Sequence, residues 1–249
     1  MSDHAAGRSR PLLEAVEDFQ QAADPQDLWK RLNARLTAFG ITGLIYGTEA
    51  MPDPDRFLGL MLNSIQEAWL DDKLALDLFY CDEYVEAARC GETAPILWSD
   101  TSRLASASDR ALLSLALDYD HGVVTGVSIP MQFAGGLGAS SMGCHAENMS
   151  FAEFDRIWAG NSSAIASIVN AFDVRLRAGF KEEIFPLDAR ERECLMRLAQ
   201  GHRLQRIADA MGLTDRQVEK LTISARRKLH ATTLPQALAT ALIFELIAL

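Results

Sequence analysis

The sequence predicts an α+β protein in which an N-terminal α/β/α sandwich on a mainly antiparallel sheet precedes a smaller all-α domain of four helices. The chain has 249 residues, enough for two ordinary domains, and 49% of them are hydrophobic, as in core-forming proteins. Helical and strand-like periods alternate up to residue 177, whereas only helical periods follow residue 186. The charge changes there too: residues 186–249 hold ten Lys/Arg against seven Asp/Glu, or +3, so the net charge of −10 leaves −13 for residues 1–185.

Two helices and two strands are predicted at the N-terminus. Apolar residues recur at helical spacing over 11–19 and 25–39, and Gly40 follows as a stop signal. The next segments, 41–47 and 57–62, are short, apolar or β-branched, and bounded by Gly, Pro and Asp, which favours strands. We expect these two strands to pair antiparallel.

The middle of the domain returns to helices. Helical periodicity covers 65–79 and 108–118, on either side of an extended stretch at 95–98. Both helices are expected to lie around the mainly antiparallel sheet.

A hairpin and a long helix complete the N-terminal domain, which is predicted to span residues 1–177. Two strand-like runs, 123–133 and 137–145, flank Gly135-Gly136 and predict a hairpin. The segment 150–177 predicts a long closing helix.

A short, partly charged segment, 178–185, is predicted to link this domain to the domain at 186–249. The longest apolar run, 237–242, is shorter than the roughly 18 residues of a membrane span, and no signal peptide is recognised, which predicts a cytoplasmic protein. No metal or cofactor is expected, because the cysteines lack paired spacing. We expect reduced, mostly buried thiols at Cys81, Cys90, Cys144 and Cys194.

The C-terminal domain contains two predicted capping boxes. Asp188 and Glu191 are spaced to open a helix that runs to Gln200. Thr214 and Gln217 have the same spacing and open a longer helix. Each pair would satisfy backbone donors at a helix start.

A helix-turn-helix follows from the order of these elements. A short helix over 204–211 ends at Gly212, and the longer helix runs from Thr214 to about Leu229. A last helix, 235–247, is expected to close the core.

One side of the longer helix is apolar and the other is basic. The side expected to pack holds Val218, Leu221, Thr222, Ala225 and Leu229. The opposite side holds Arg216, Lys220, Ile223 and Arg227.

This basic side has the chemistry that reads a DNA major groove. Arg and Gln can contact guanine and adenine edges, and Ile223 can meet a thymine methyl. A basic stripe alone is more often a solvated face, but the capping boxes, the Gly turn and the opposite charge of the body favour DNA binding. Phosphate contacts are expected from Arg203, Arg206, Arg226 and Lys228. The full set of candidate DNA-binding residues is Arg203, Arg206, Arg216, Gln217, Lys220, Ile223, Arg226 and Arg227.

Residues 187–201, LDARERECLMRLAQG, resemble the start of the helix-turn-helix of the LuxR family of quorum-sensing regulators, L-T-x-R-E-x-E-x-L-x-x-x-A-x-G. The family's Glu, Leu and Gly fall on Glu191, Leu195 and Gly201. Its later positions fall on Ile207, Ala208, Met211, Val218, Lys228 and Leu229. The resemblance implies a homodimer that binds a palindromic DNA operator.

The spacing of Trp69, Asp82, Trp98 and Gly126 resembles the family's inducer-binding half. The resemblance implies that Trp69 donates to the lactone carbonyl of an acyl-homoserine lactone and that Asp82 accepts from its acyl amide. By themselves these residues would be core aromatics and a turn cap. Alternation leaves open whether Ser140 or Ser141 points inward. The expected ligand-binding residues are Trp69, Lys73, Tyr80, Asp82, Trp98 and Ser140.

Several positions depart from the family pattern. Lys73 stands where the family usually has Tyr, and Glu83 where it usually has Pro, which indicates a non-standard or anionic ligand. Leu221 stands at a frequent His, and Thr233-Leu234 replaces Asn-Arg, so a phosphate contact is expected to be missing.

Two regulatory functions remain open, and an enzyme is not expected because phosphate-binding loops and H-E-x-x-H or G-x-S-x-G motifs are absent from the sequence. The first is a ligand-responsive homodimer that uses 150–177 and the last helix as dimer surfaces. The second is a ligand-independent regulator that acts through protein contacts or heterodimers. A cavity behind Trp69 and Lys73 that is filled in by side chains, or that is empty of ligand, would favour the second function.

Overall fold

The structure is a computed structural model that describes residues 3–52 and 59–248, without the side chains of residues 3–11 and Tyr80. Within these ranges no helix combines the length and the apolar character needed to cross a lipid bilayer.

The chain folds into two compact units, Met1–Leu176 and Arg177–Leu249, called here the N-terminal and C-terminal units. Each unit has its own buried residues and its own candidate site.

Among the described residues, the N-terminal unit contains a five-stranded antiparallel sheet. Its strands are β1 (Gly43–Ala50), β2 (Leu60–Asn63), β3 (Ile96–Leu97), β4 (Gly126–Phe133) and β5 (Gly138–His145). They lie in the order β2-β1-β5-β4-β3. The predicted pairing of the first two strands and the predicted hairpin are confirmed. Part of the predicted strand 57–62 falls on residues 53–58, outside the described residues.

Helices cover both faces of this sheet. They are α1 (Asp3–Gln20), α2 (Pro25–Thr37), α3 (Glu67–Ala75), α4 (Glu83–Arg89), α5 (Asp109–Asp120) and α6 (Phe151–Gly179). The first begins at Asp3 rather than at residue 11. Residues 3–10 lack the regular apolar spacing that predicts a helix. The predicted helix 65–79 is too long, since the chain turns at Asp77 with φ 59° and continues as a 3₁₀ turn at Phe79–Cys81.

The sequence analysis missed α4. This helix has only seven residues, too few to show a clear hydrophobic period. Its start is set by Asp82, whose carboxylate accepts from the backbone N–H groups of Tyr84 and Val85 at 2.9 and 3.3 Å.

Alternation along β1 separates the two layers of the sandwich. Tyr46 faces α6, where its ring meets Phe172 and its hydroxyl donates to Asp173 at 2.8 Å. The ring of Phe172 also contacts Phe19 of α1 and Trp29 of α2. Helices α1, α2 and α6 therefore cover one face, and α3, α4 and α5 lie on the other. The predicted α/β/α sandwich is confirmed.

The C-terminal unit is all helical in the part that is described. After the end of α6 its helices are α7 (Lys181–Ile184), α8 (Ala189–Ala199), α9 (Leu204–Met211), α10 (Asp215–Lys228) and α11 (Leu234–Ile243). Much of the segment 178–185, predicted as a linker, is helical. The last helix ends at Ile243 rather than at 247, because Phe244 caps it and Glu245 has a φ of 53°.

Both predicted capping boxes are confirmed. Asp188 and Glu191 exchange hydrogen bonds with each other's backbone at 2.8 Å, and Thr214 and Gln217 do the same at the start of α10. Gly212 ends α9 with φ 64°, a left-handed conformation that favours glycine. The local sequence signals therefore specify the helix-turn-helix correctly.

All four cysteines are free thiols. Cys144 and Cys194 are buried, as predicted, and burial raises the pKa of the Cys194 thiol to about 11. Cys90 is exposed and Cys81 is half-buried, so the expectation of mostly buried thiols is wrong for these two. Both lie near the ends of short helical segments, where little chain covers them.

Glu191 joins two helices of the C-terminal unit. Its side chain is buried, and it accepts both from the backbone N–H of Asp188 and from the ammonium of Lys228 at 2.8 Å. Burial opposes the ionised form, but the hydrogen bonds from Lys228, Ser224 and Asp188 hold the pKa of Glu191 below its usual value.

Glu191→Ala is expected to lower the free energy of unfolding of the C-terminal unit by about 2–4 kcal/mol, because it removes a capping box and leaves Lys228 without its buried partner. Urea unfolding followed by far-UV circular dichroism measures the change. Glu193→Ala on the same helix is the matched control, since its half-exposed pair with Arg197 should contribute under about 0.5 kcal/mol. Equal losses in the two variants would contradict the assigned role of Glu191.

Candidate functional site

A cavity of about 100 Å³ lies between the sheet and helices α3, α4 and α5 of the N-terminal unit. Apolar groups such as Ile45, Phe79 and Val123 form much of its wall. Of the sequence-predicted ligand residues, Trp69, Lys73, Asp82, Trp98 and Ser140 belong to this wall. The side chain of Tyr80 lies outside the described residues.

Lys73 is the most unusual residue in the wall, because its side chain is only 1% exposed. Its ammonium donates to Ser114 Oγ at 2.5 Å, to Asp118 Oδ2 at 3.1 Å and to Asp82 Oδ2 at 3.3 Å. An ammonium has three hydrogens. All three therefore have acceptors within the protein.

The groups expected to hold a ligand head also have protein partners. The indole N–H of Trp69 donates to Asp118 Oδ1 at 2.7 Å. Asp82 uses one carboxylate oxygen for the start of α4 and the other for Lys73. We call Trp69, Lys73, Asp82, Ser114 and Asp118 the Lys73 cluster.

The Lys73 cluster carries more negative than positive charge. Burial raises the pKa of Asp118 to about 6, against the opposing effect of the Lys73 ammonium, and the Asp82 carboxylate adds to the rise. Two acidic side chains thus flank one ammonium. The ammonium that suggested an anionic ligand is therefore already paired within the protein.

A second ion pair forms another part of the cavity wall. The guanidinium of Arg89 on α4 donates to both carboxylate oxygens of Glu49 on β1, at 2.7 and 3.2 Å. Both side chains are at most 5% exposed. This two-point geometry is the strong form of an Arg–carboxylate pair, and it ties α4 to the sheet.

Trp98 is held in place by its neighbours. Its indole N–H donates to Ser128 Oγ at 2.9 Å, and its ring lies against Tyr84 and His145. Gly126 makes the close approach possible, since a Cβ there would lie 2.9 Å from the indole ring and 2.1 Å from a backbone oxygen. This geometry accounts for the Trp98 and Gly126 pair in the sequence pattern.

The two serines of β5 point to opposite faces of the sheet. Ser140 donates to Thr48 Oγ1 at 2.9 Å and accepts from Tyr46, so its hydroxyl faces the α6 layer. Ser141 pairs in register with Gly47 on the cavity face. Both serines border the cavity, but Ser141 is the one whose side chain lies on the cavity face, and ligand binding by Ser140 stays a prediction.

Sequence reasoning missed Asp118 of the wall and the neighbouring Ser114, which also bonds Lys73. Ser114 and Asp118 are four residues apart on α5 and both are buried, so they share one helix face. Two small polar residues at that spacing in an otherwise apolar stripe were the available signal. Glu49, Arg89 and Ser128 had no local signal.

The C-terminal unit presents the basic face that was predicted on α10. Val218, Ala225 and Leu229 are buried, whereas Ile223 is 59% exposed. Arg216, Lys220 and Arg227 are exposed on the other side. No side-chain hydrogen bond or ion pair within the described residues engages their charges.

The remaining DNA candidates differ in what they contact. Arg203, at the N-cap of α9, and Arg206, on α9, are exposed, and Arg226 is half-buried. The Gln217 side-chain oxygen accepts from the Thr214 backbone N–H at 2.8 Å, so its amide NH₂ is left for a base. Lys228, expected to contact a phosphate, is half-buried and donates to buried Glu191 at 2.8 Å, so its phosphate contact stays a prediction.

Both units match known protein families. Residues 24–175 match the autoinducer-binding domain family, and residues 186–241 match the luxR family of bacterial regulatory proteins. The chain belongs to the LuxR family. It is accordingly a DNA-binding transcriptional regulator with a ligand-sensing domain, and the resemblance seen in the sequence is confirmed.

Individual LuxR-type proteins are distant relatives. The chain is 25% identical over 235 residues to the transcriptional activator AhyR of Aeromonas hydrophila, covering 92% of this chain and 88% of AhyR. The fold is similar to that of SdiA in complex with octanoyl-rac-glycerol, with a TM-score of 0.56, 14% identity and coverage of 98% and 96%. CepR2 of Burkholderia cenocepacia gives 0.51 at 15% identity, covering 67% of this chain and 93% of CepR2.

The stability of the N-terminal unit is expected to depend on the titration of Asp118. Its folded pKa of about 6 lies above the ordinary 3.8, so the folded protein takes up a proton first. The resulting stability is present at low pH and is lost as the pH rises through about 6. Between pH 7 and pH 4.5 the wild type should gain about 1–3 kcal/mol relative to Asp118→Asn.

Chemical unfolding of both proteins across this pH range measures the difference. Buried His145, whose pKa burial lowers, contributes with the opposite sign but is common to both proteins and cancels. A difference that stays constant from pH 4.5 to pH 7 would show that Asp118 has an ordinary pKa.

Proposed function

We propose that this LuxR-family chain binds a two-fold symmetric operator as a homodimer, that it reads the major groove with α10, and that a small uncharged ligand in the cavity adjusts this binding. The observation that carries the proposal is the exposed basic face of α10. Arg216 and Lys220 lie one turn apart on it, close to the start of the helix. In a helix-turn-helix these turns enter the groove.

The chemistry of this face fits base and phosphate contacts. Arg216 can bond the O6 and N7 atoms of guanine, and exposed Ile223 can meet a thymine methyl. Arg203 and Arg206 on α9 suit phosphates on the groove edge. Exposed Glu219 interrupts the positive charge, which favours a defined operator over binding to any polyanion.

The homodimer is supported by apolar groups that remain exposed on two long helices. Val174 on α6 is 57% exposed and Leu242 on α11 is 37% exposed. Large exposed apolar groups of this kind are common at subunit interfaces. A two-fold dimer would present two copies of α10 to a palindromic site.

An uncharged ligand is supported by the cavity wall. Its charged side chains form ion pairs with one another, in the Lys73 cluster and in the Arg89–Glu49 pair. A charged ligand would have to break one of these buried pairs, which costs several kcal/mol. SdiA holds the uncharged octanoyl-rac-glycerol, and CepR2 is described as N-acylhomoserine lactone dependent.

A second candidate is a LuxR-type regulator that needs no ligand and acts through protein contacts. The Lys73 cluster is the observation that favours it, since the polar end of the cavity is already occupied by the protein itself. In either case the role is regulatory rather than catalytic.

Arg216→Ala and Lys220→Ala are each expected to weaken operator binding by about 5- to 150-fold, which corresponds to the ~1–3 kcal/mol of a base contact. The operator is first selected from random DNA with the wild-type protein. Fluorescence anisotropy at fixed salt then gives each Kd. Lys30→Ala is the control, because it removes one exposed positive charge from α2 in the other unit and should leave the Kd unchanged.

Failure to select any preferred DNA sequence would refute the proposed function. Equal Kd values for the wild type and both α10 variants would show that another surface reads the DNA. Arg203→Ala, a proposed phosphate contact, should instead reduce the slope of log K against log salt by about 1.

A further inference from the structure

The Lys73 cluster uses the N–H donors of Lys73 and Trp69 internally. The ammonium has three acceptors for its three hydrogens. The indole of Trp69 has a single N–H, which donates to Asp118. The carbonyl oxygen of a ligand head would therefore have to displace a protein acceptor to reach either donor.

The cluster also connects helices of the N-terminal unit. Trp69 and Lys73 lie on α3, Ser114 and Asp118 on α5, and Asp82 caps α4. One buried ammonium thus connects three helices on the cavity side of the sheet. Without it, two carboxylates would face each other in a largely buried site.

We infer that Lys73 is a built-in substitute for the polar head of an inducer. The N-terminal unit is folded without a ligand, and the lactone carbonyl of an acyl-homoserine lactone is not recognised through the Trp69 indole. The inference rests on the proposed function, because it concerns the regulation of the same cavity.

The alternative binding event would be unfavourable for a specific reason. A lactone carbonyl could reach the Trp69 N–H only by displacing the Asp118 carboxylate, which is 11% exposed. That carboxylate would lose one of its donors and remain buried. The cavity of about 100 Å³ is also smaller than the ~300 Å³ or more typical of drug-sized ligands.

The test compares full-length proteins purified without added lactone. Thermal unfolding is recorded with and without N-octanoyl-homoserine lactone for the wild type, Lys73→Met, the double variant Lys73→Met/Asp118→Leu and Lys30→Met. Mass spectrometry of the purified wild type checks for a bound small molecule. Lys30→Met is the matched control, because it removes an exposed lysine from the same unit.

The wild type should be folded, free of bound lactone, and unchanged by the probe. Lys73→Met should unfold about 10 °C lower, because one partner of a buried ion cluster is gone, whereas Lys30→Met should match the wild type. The double variant removes both the ammonium and the acceptor of Trp69. Its unfolding midpoint should rise by several degrees with the lactone, since the indole can then donate to a carbonyl.

Several results would overturn the inference. They are a wild type that folds only with the lactone, that carries it after purification, or that gains several degrees from it. The inference would also be overturned by a Lys73→Met variant that is as stable as Lys30→Met. A folded double variant whose unfolding midpoint does not change with the lactone would overturn it as well. If neither Lys73 variant folds, the wild-type titration decides. Operator binding is measured separately, so a folded wild type that binds no DNA refutes the proposed function alone.

Discussion

A buried ammonium must be surrounded by acceptors, and this constraint at Lys73 positions the helices on the cavity side of the N-terminal unit. Leaving a charge unpaired away from water costs far more than a typical contact contributes. Lys73 reaches Ser114, Asp118 and Asp82 only if α3, α5 and the start of α4 lie together against the sheet. The packing of the cavity follows from that requirement.

The C-terminal unit meets the same constraint with the opposite charge. Glu191 is a buried carboxylate, and the Asp188 backbone and the Lys228 ammonium satisfy it. The start of α8 is thereby held against the end of α10. The helix that presents the basic face is thus fixed by a charge pair as well as by its apolar side.

The charged residues of the cavity and those of α10 differ in whether they have partners within this LuxR-type regulator. Within the cavity, Arg89 and Lys73 are paired with carboxylates, so a charged ligand would compete with these ion pairs. On α10, Arg216 and Lys220 are exposed and have no side-chain partner among the residues that the structure describes, so their charges remain available to DNA. A ligand can control DNA binding only through a difference in its affinity for two states of the protein. In this cavity that difference has to come mainly from apolar contacts.

The sequence by itself determined the helix-turn-helix, because its signals are local. Asp188 with Glu191, Thr214 with Gln217, and Gly212 each act within three or four residues, and the structure has them as predicted. The hairpin around Gly135-Gly136 is local in the same sense. Only the tertiary structure decided that Ser114 and Asp118, which lie 41 and 45 residues away on α5, are partners of Lys73. It also decided that Ser141 rather than Ser140 faces the cavity, because the register of β5 against β1 sets the face.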